Sequence, residues 1–252
     1  MSVKRPFVLV VLDSLDSMRP PGFDIMMLVI AALGAVMATI QPASQSYILA
    51  RLVLEPTLFT VALYLGLRGA SGLASLVRQQ IIEVYMSYPI SRLGVISSII
   101  LSRVVIPAVM LLALPILISG ILLYPVVLKD PIAYLLVFSG YLTQALLYGI
   151  VFLLIAIISR SSGTASVLSI TFYFAYNIIW LLIQSLSSSL GSWAQHMAIA
   201  MKFYRVTYFM ALQHAGLQTT GLTLTEYLFV PSIIVIATVS LVLYFTRRFE
   251  PT

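Results

Sequence analysis

The chain has no cysteine. Disulfides and thiolate metal sites are therefore excluded, and nothing reports a redox compartment. Histidine is nearly missing: His196 and His214 lie 18 positions apart, with no carboxylate beside either in the sequence. A zinc site needs three or four ligands, so both read as surface residues. Charge is scarce as well. Only 9% of residues are charged, against roughly 25% in a soluble domain. The 8 acidic residues are too scattered for paired-carboxylate catalysis. There is no HExxH, no GxSxG and no glycine-rich phosphate loop with its lysine. Metalloprotease, serine-hydrolase and ATP-binding chemistry by their usual motifs are not expected, and no cofactor is expected on this chain. The net charge of +6 does not point to nucleic acid. In a chain this apolar, excess Lys and Arg report orientation and contact with anionic headgroups of membrane lipids.

What is present is hydrocarbon. Hydrophobic residues make up 61% of the chain and come in long runs, so the expected fold is an all-α, multi-pass membrane protein. No internal repeat, low-complexity linker or stretch long enough for a soluble domain interrupts it, and residues 1–252 read as a single transmembrane domain. At the start, Lys4 and Arg5 precede a short apolar run that Asp13 and Asp16 interrupt, with no small-residue cleavage site after it. That pattern does not read as a secretory signal. Val8, Val11, Leu12, Leu15 and Met18 instead share one helical face, with Asp13 and Asp16 off it. This is the pattern of a helix lying in the headgroup plane, stopped by Pro20 and Pro21.

Six spans are expected. The first is Ile25 to Ile40, short at about 24 Å. Ala43 to Glu55 reads as an outer connection in which Arg51 and Glu55 could pair, and the second span as Pro56 to Val77. That span carries Arg68, which must snorkel or line a wet cavity, and the small-residue run Gly69, Ala70, Ser71, Gly72, which permits close helix approach. The third span runs from Val104 to Leu123, with Arg103 near the boundary and kinks at Pro107 and Pro115. The apolar run from Leu93 to Leu128 exceeds the hydrocarbon thickness, so its first turns must protrude. The fourth span is Ile132 to Ile158, the fifth Thr164 to about Gln184 and the sixth Tyr227 to Phe245. Between the last two, Met197, Met201, Tyr204 and Tyr208 form a helical stripe, read as one or two short helices at the outer surface. With both termini inside, the inner side holds Lys4, Arg5, Arg19, Arg68, Arg78, Arg92, Arg103, Arg160, Arg247 and Arg248, and the outer side only Arg51, Lys129, Lys202 and Arg205. The positive-inside rule then places both ends in the cytoplasm and the chain in the cytoplasmic membrane of the cell.

Two polar features stand out against this background. The fourth span carries Tyr134, Tyr141 and Tyr148 seven residues apart with Gln144 alongside; the fifth carries Tyr173, Tyr176, Asn177, Trp180 and Gln184 on one face. These groups read either as packing held by hydroxyls and amides or as one wall of a substrate path suited to an amphipathic or lipid-like molecule. The second feature is the polar island from Arg78 to Arg103. Gln79, Glu83 and Ser87 form a polar stripe, and Ile81, Val84, Tyr85 and Tyr88 an apolar one. Pro89 ends that helix at Tyr88, and Ser91 is placed to cap the next. By periodicity alone this is a short amphipathic helix that either tidies a loop or meets a partner.

The run of Glu83, Ser87, Pro89, Ile90, Ser91 and Arg92 followed by an apolar helix resembles the cytoplasmic segment of type-2 ABC transporter permeases. Further on, where many members have a glycine and a lysine, this chain has Ser98 or Ser102 and Arg103. The layout of spans is also similar to that family. The resemblance implies a permease subunit with an interfacial N-terminal helix, a cytoplasmic coupling helix between spans two and three, and outer helices between spans five and six. It implies that Gln79, Glu83, Ser87, Tyr88, Pro89, Ser91 and Arg92 dock onto a separate nucleotide-binding ATPase, which would hold ATP and Mg. It also implies a second permease copy, identical or related, and export of a substrate. Two alternatives belong to other classes. A membrane-embedded enzyme acting on lipids or prenyl groups would be expected to gather acidic pairs or histidines at the membrane boundary, and this sequence does not. The other alternative is a non-transporting membrane scaffold.

Overall fold

A computed structural model describes residues 4–40, 44–87, 91–217 and 221–248. The side chains of residues 4–7, 86, 87, 188, 190 and 248 lie outside that description. The described residues are mostly helical and contain no strand. Among them, six helices are long and apolar enough to cross a membrane. Helix α1 covers Lys4–Ser17, and the spans are α2 (Gly22–Ile40), α3 (Ser46–Arg78), α5 (Arg92–Leu122), α7 (Pro131–Ser159), α8 (Ser162–Ser185) and α12 (Leu224–Arg248). Between them lie α4 (Ile81–Ser87), α6 (Tyr124–Val127), α9 (Ser187–Leu190), α10 (Ser192–Ala200) and α11 (Phe203–His214). Helix α7 is the centre, packed against α3, α5, α8, α11 and α12.

The second span begins at Ser46, ten residues before the expected start at Pro56. The expected outer connection is helix. Tyr47, Leu49, Ala50, Val53 and Leu54 are buried against the bundle, and that burial outweighs the proline's missing donor. The Thr57 hydroxyl donates to the Val53 carbonyl at 2.7 Å beside the proline. Arg51 and Glu55 do pair, at 3.2 Å, on the exposed side of this helix.

Both α3 and α5 widen into a π turn, over Leu65–Ala70 and Leu101–Val105 respectively, and the two turns face each other. Pro107 supplies the reason in α5. It cannot donate to the Arg103 carbonyl, so the ladder shifts and that oxygen turns toward α3. It reaches Gly69, where a Cβ would lie 3.0 Å from it. The small run in the second span thus does permit close approach, and a Cβ on Gly72 would overlap the Arg103 guanidinium.

Arg103 is buried within the protein. It is 1% exposed and holds Asp13 of α1 through two bonds, Nε to Oδ2 at 3.0 Å and Nη2 to Oδ1 at 2.5 Å. The Ser102 hydroxyl donates to the same carboxylate, Ser17 Oγ donates to the Ser102 carbonyl at 3.2 Å, and Tyr64 Oη donates to the Ser17 carbonyl at 2.7 Å. Helix α1 therefore buries its polar face, Asp13, Ser14 and Ser17, and exposes Val8, Val11, Leu12 and Leu15. An apolar stripe turned outward suits a hydrocarbon surround; the docking face is the one that periodicity left unassigned. Arg68 is exposed, and its guanidinium reaches Gly22, the first residue of α2, where a Cβ would sit 2.7 Å from Nη2.

Candidate functional site

The first candidate site joins α3 to α5. Helix α3 ends at Arg78, and Gln80 takes a left-handed conformation, φ 59°, that reverses the chain. Gln79 is therefore in the turn, not on the stripe of Glu83 and Ser87. Helix α4 buries Ile82, half-buries Ile81 and Tyr85, and exposes Glu83 and Val84. Val84 is thus not part of the packed face that the apolar stripe predicted. Helix α4 is described through Ser87, so the expected break at Tyr88-Pro89 falls outside the described residues. The Ser87 side chain, Tyr88 and Pro89 lie outside the described residues. Ser91 Oγ accepts from the Gly94 amide at 3.1 Å, the expected N-cap of α5. Arg92 has a partner inside the chain: its Nη1 donates to the Thr246 carbonyl at 2.9 Å, satisfying a free acceptor in the last turn of α12. It fastens the sixth span to the third.

The second candidate site lies between α7 and α8. Here the region following the fifth span does not stay at the surface. Helix α11 runs antiparallel to α7. His214 Nε2 meets Asp130 Oδ1 at 3.5 Å at one end, Tyr204 stacks on Tyr141 with centroids 4.5 Å apart, and the Phe203 amide donates to Gln144 Oε1 at 2.9 Å. Gln144 is 14 residues into the fourth span from Asp130, a depth of about 21 Å. Helices α10 and α11 therefore form a hairpin that enters the bundle, its tip at Met201 and Lys202. Gly140 makes this possible: a Cβ there would come within 2.8 Å of the Tyr204 Cα. Ala194, Ala198 and Ala200 are the buried residues of α10.

The residues predicted to line a path hold this hairpin. Tyr176 Oη donates to the Met201 carbonyl, and Trp180 Nε1 donates to the Ala198 carbonyl at 2.9 Å. Asn177 Oδ1 accepts from Lys202 Nζ, which also lies 3.5 Å from Tyr148 Oη and 5.0 and 5.4 Å from the Trp180 and Tyr176 ring centroids. Tyr173 packs edge-on against Tyr148 at 5.1 Å. Gln144 Nε2 faces the Tyr148 and Tyr176 hydroxyls without a bond of ordinary geometry, and the Tyr141 hydroxyl is buried with no partner. Seven of the nine predicted residues thus gather in one cluster; Gln184 is exposed and Tyr134 bonds elsewhere. In this conformation Tyr176, Asn177 and Trp180 bond to the hairpin. Tyr134, on the same face, bonds to the Ile116 carbonyl at 2.9 Å and to Ser119 Oγ at 2.8 Å, which is packing.

The cluster's charge comes from residues that sequence reasoning placed outside. Lys202 is 2% exposed, and no carboxylate oxygen among the described residues comes within 4 Å of it. Burial, with repulsion from Arg205 second, lowers its pKa to about 8. Arg205 stacks on Trp180 at 4.6 Å. The available signal was a lone lysine inside a moderately apolar stretch, shortly after Ala198 and Ala200.

Both histidines keep partly exposed side chains, as expected, and meet carboxylates that lie far away in the sequence. Besides His214 with Asp130, His196 Nδ1 meets Glu226 Oε1 at 3.1 Å. Glu226 is 1% exposed and closes a capping box: its Oε2 accepts from the Thr223 amide and, at 3.1 Å, from the Thr223 hydroxyl. This constellation begins a helix, and no group of three potential metal ligands exists among the described residues.

Comparison with known proteins finds no family model and no curated protein that matches the chain.

Proposed function

We propose that the chain is the permease subunit of an ATP-driven exporter in a cytoplasmic membrane, with both termini inside, working with a separate ATPase subunit. The single observation that carries this reading is the link between spans two and three. It is a seven-residue helix set off by the reversal at Gln80, anchored by buried Ile82 and presenting Glu83 to solvent. It leads through the Ser91 cap into one continuous helix, α5. A push on α4 is delivered directly to α3 and α5, and through Arg103 and Asp13 to α1. Those three helices would move together against α7, and the hairpin at Lys202 is the element that must shift for a path to open between α7 and α8. ATP and Mg would be held by the partner, and the chain itself would carry no catalytic residue. Helix α8 has only 6% of its apolar window buried, and it offers the surface for a second copy.

Affinity purification in a mild maltoside detergent tests the reading. An ATPase with a phosphate-binding loop should come with the native chain, and Glu83→Ala should lose it or uncouple its ATP turnover while the chain still inserts. Unchanged co-purification and unchanged transport in Glu83→Ala would sink the assignment.

A further inference from the structure

A cavity of about 180 Å³ opens where α3 meets α11, lined by Arg51, Tyr204, Arg205, Tyr208 and Phe209. Its walls are three aromatic rings and two guanidinium groups. Arg51 is paired with Glu55 at 3.2 Å and lies over Tyr208 at 5.1 Å. Among the described residues, Arg205 has no carboxylate within 4 Å. It lies on Trp180, the same ring that Lys202 occupies. Behind Tyr204 stands Tyr141, stacked on it, whose buried and unbonded hydroxyl lies in the field of Arg51, Arg205 and Glu55.

Two imbalances coincide here. Three cations, Arg51, Lys202 and Arg205, face one carboxylate, Glu55. Donors also exceed acceptors: among the described residues, nothing accepts from the buried Tyr141 hydroxyl, and Arg205 has no carboxylate within 4 Å. Cations held against an apolar bundle, here one buried and two partly exposed, are stabilised when an opposite charge accompanies them. Among the described residues, Glu55 is the carboxylate that acts on this group. The missing component must bring negative charge and acceptor oxygens, and must tolerate aromatic walls.

We propose that this cavity binds the anionic group, a phosphate or a carboxylate, of an amphiphilic molecule. The oxygens would lie on Arg205 and Arg51, and the adjoining apolar part against Tyr204, Tyr208 and Phe209. Under the transport reading, on which this assignment of substrate class rests, the molecule enters beside the hairpin, and its charge weakens the hold of Trp180 on Arg205 and Lys202. Binding itself requires no motor. It can be measured on the purified chain, so failure to find an ATPase partner and failure to find an anion site are separate results.

The experiment uses Trp193→Phe, which leaves Trp180 as the sole tryptophan, in dodecyl maltoside, a surfactant without phosphate. Dihexanoyl phosphatidic acid should change Trp180 fluorescence saturably. Dihexanoyl glycerol, its neutral counterpart, should not. Arg205→Gln should weaken binding at least about tenfold, and Arg205→Lys should recover much of it, as expected for a charge-assisted contact. Inorganic phosphate should compete at higher concentration. Reconstitution into bilayers containing a fifth phosphatidic acid then separates the sources. Loss of the response to added probe identifies a bilayer lipid as the occupant, and a retained response identifies a molecule arriving from water. Equal responses to the charged and neutral probes, which need no charge variant to observe, overturn the proposal. So does an unchanged response in Arg205→Gln.

Discussion

Arg103 and Lys202 are both cations inside the bundle, and they are neutralised in opposite ways. Arg103 has a bidentate carboxylate, and Lys202 has an amide oxygen, a hydroxyl and two ring faces. Removing one member of a buried ion pair leaves the other charge unpaired and costs about 3–5 kcal/mol. Arg103→Met should therefore lower stability strongly in a denaturant titration, and the double variant Arg103→Met with Asp13→Leu should recover part of the loss. A double variant worse than the sum of the singles would show that the pair does not act as a unit. Lys202 makes a pH-dependent prediction. Its folded pKa near 8 lies below its ordinary value of 10.5. The unfolded chain therefore holds more protons between those values, and stability rises with pH across that window. The thermal midpoint should climb from about pH 7.5 to about pH 9.5 and should climb less in Lys202→Met. Identical slopes in the two proteins would count against a buried, destabilised ammonium.

At the scale of elements, the hairpin of α10 and α11 depends on the absence of a side chain. Gly140 lets Tyr204 and Thr207 approach α7 closely. Gly140→Leu should displace the hairpin, expose Trp180 and red-shift its fluorescence, while leaving six spans inserted. No spectral change in a folded Gly140→Leu protein would mean that the hairpin is held by its side-chain bonds alone. The apolar stripe of α1 was legible from its period, but its docking was not. Periodicity identifies the faces of a helix; it does not say that Asp13 finds an arginine 90 positions later.

For the whole molecule, six spans place the turn at Ser161 and the start of α10 at Ser192 at opposite ends of the bundle, since α8 runs between them. Cysteines introduced at these two positions, in a chain that has none of its own, should label from opposite sides of intact cells. Labelling from one side would exclude this topology. The number of spans and most of their ends followed from hydrophobic run length. The start of the second span did not, because Pro56 is a local signal and its helix is sustained by contacts with distant residues.

The sequence by itself determined that the chain is helical, with six helices long and apolar enough to cross a membrane, because hydrocarbon admits only backbones that satisfy their own hydrogen bonds, and because run length measures the bilayer. It also marked the tyrosines, amides and tryptophan of the fourth and fifth spans as unusual for their surroundings. Only the tertiary structure decided what meets them. Lys202 and Arg205 lie 54 and 57 positions beyond Tyr148, and they join its cluster because α10 and α11 turn back into the bundle beside Gly140. That reversal depends on close packing of small residues across helices, which has no local period, and it converts a neutral polar face into a positively charged site.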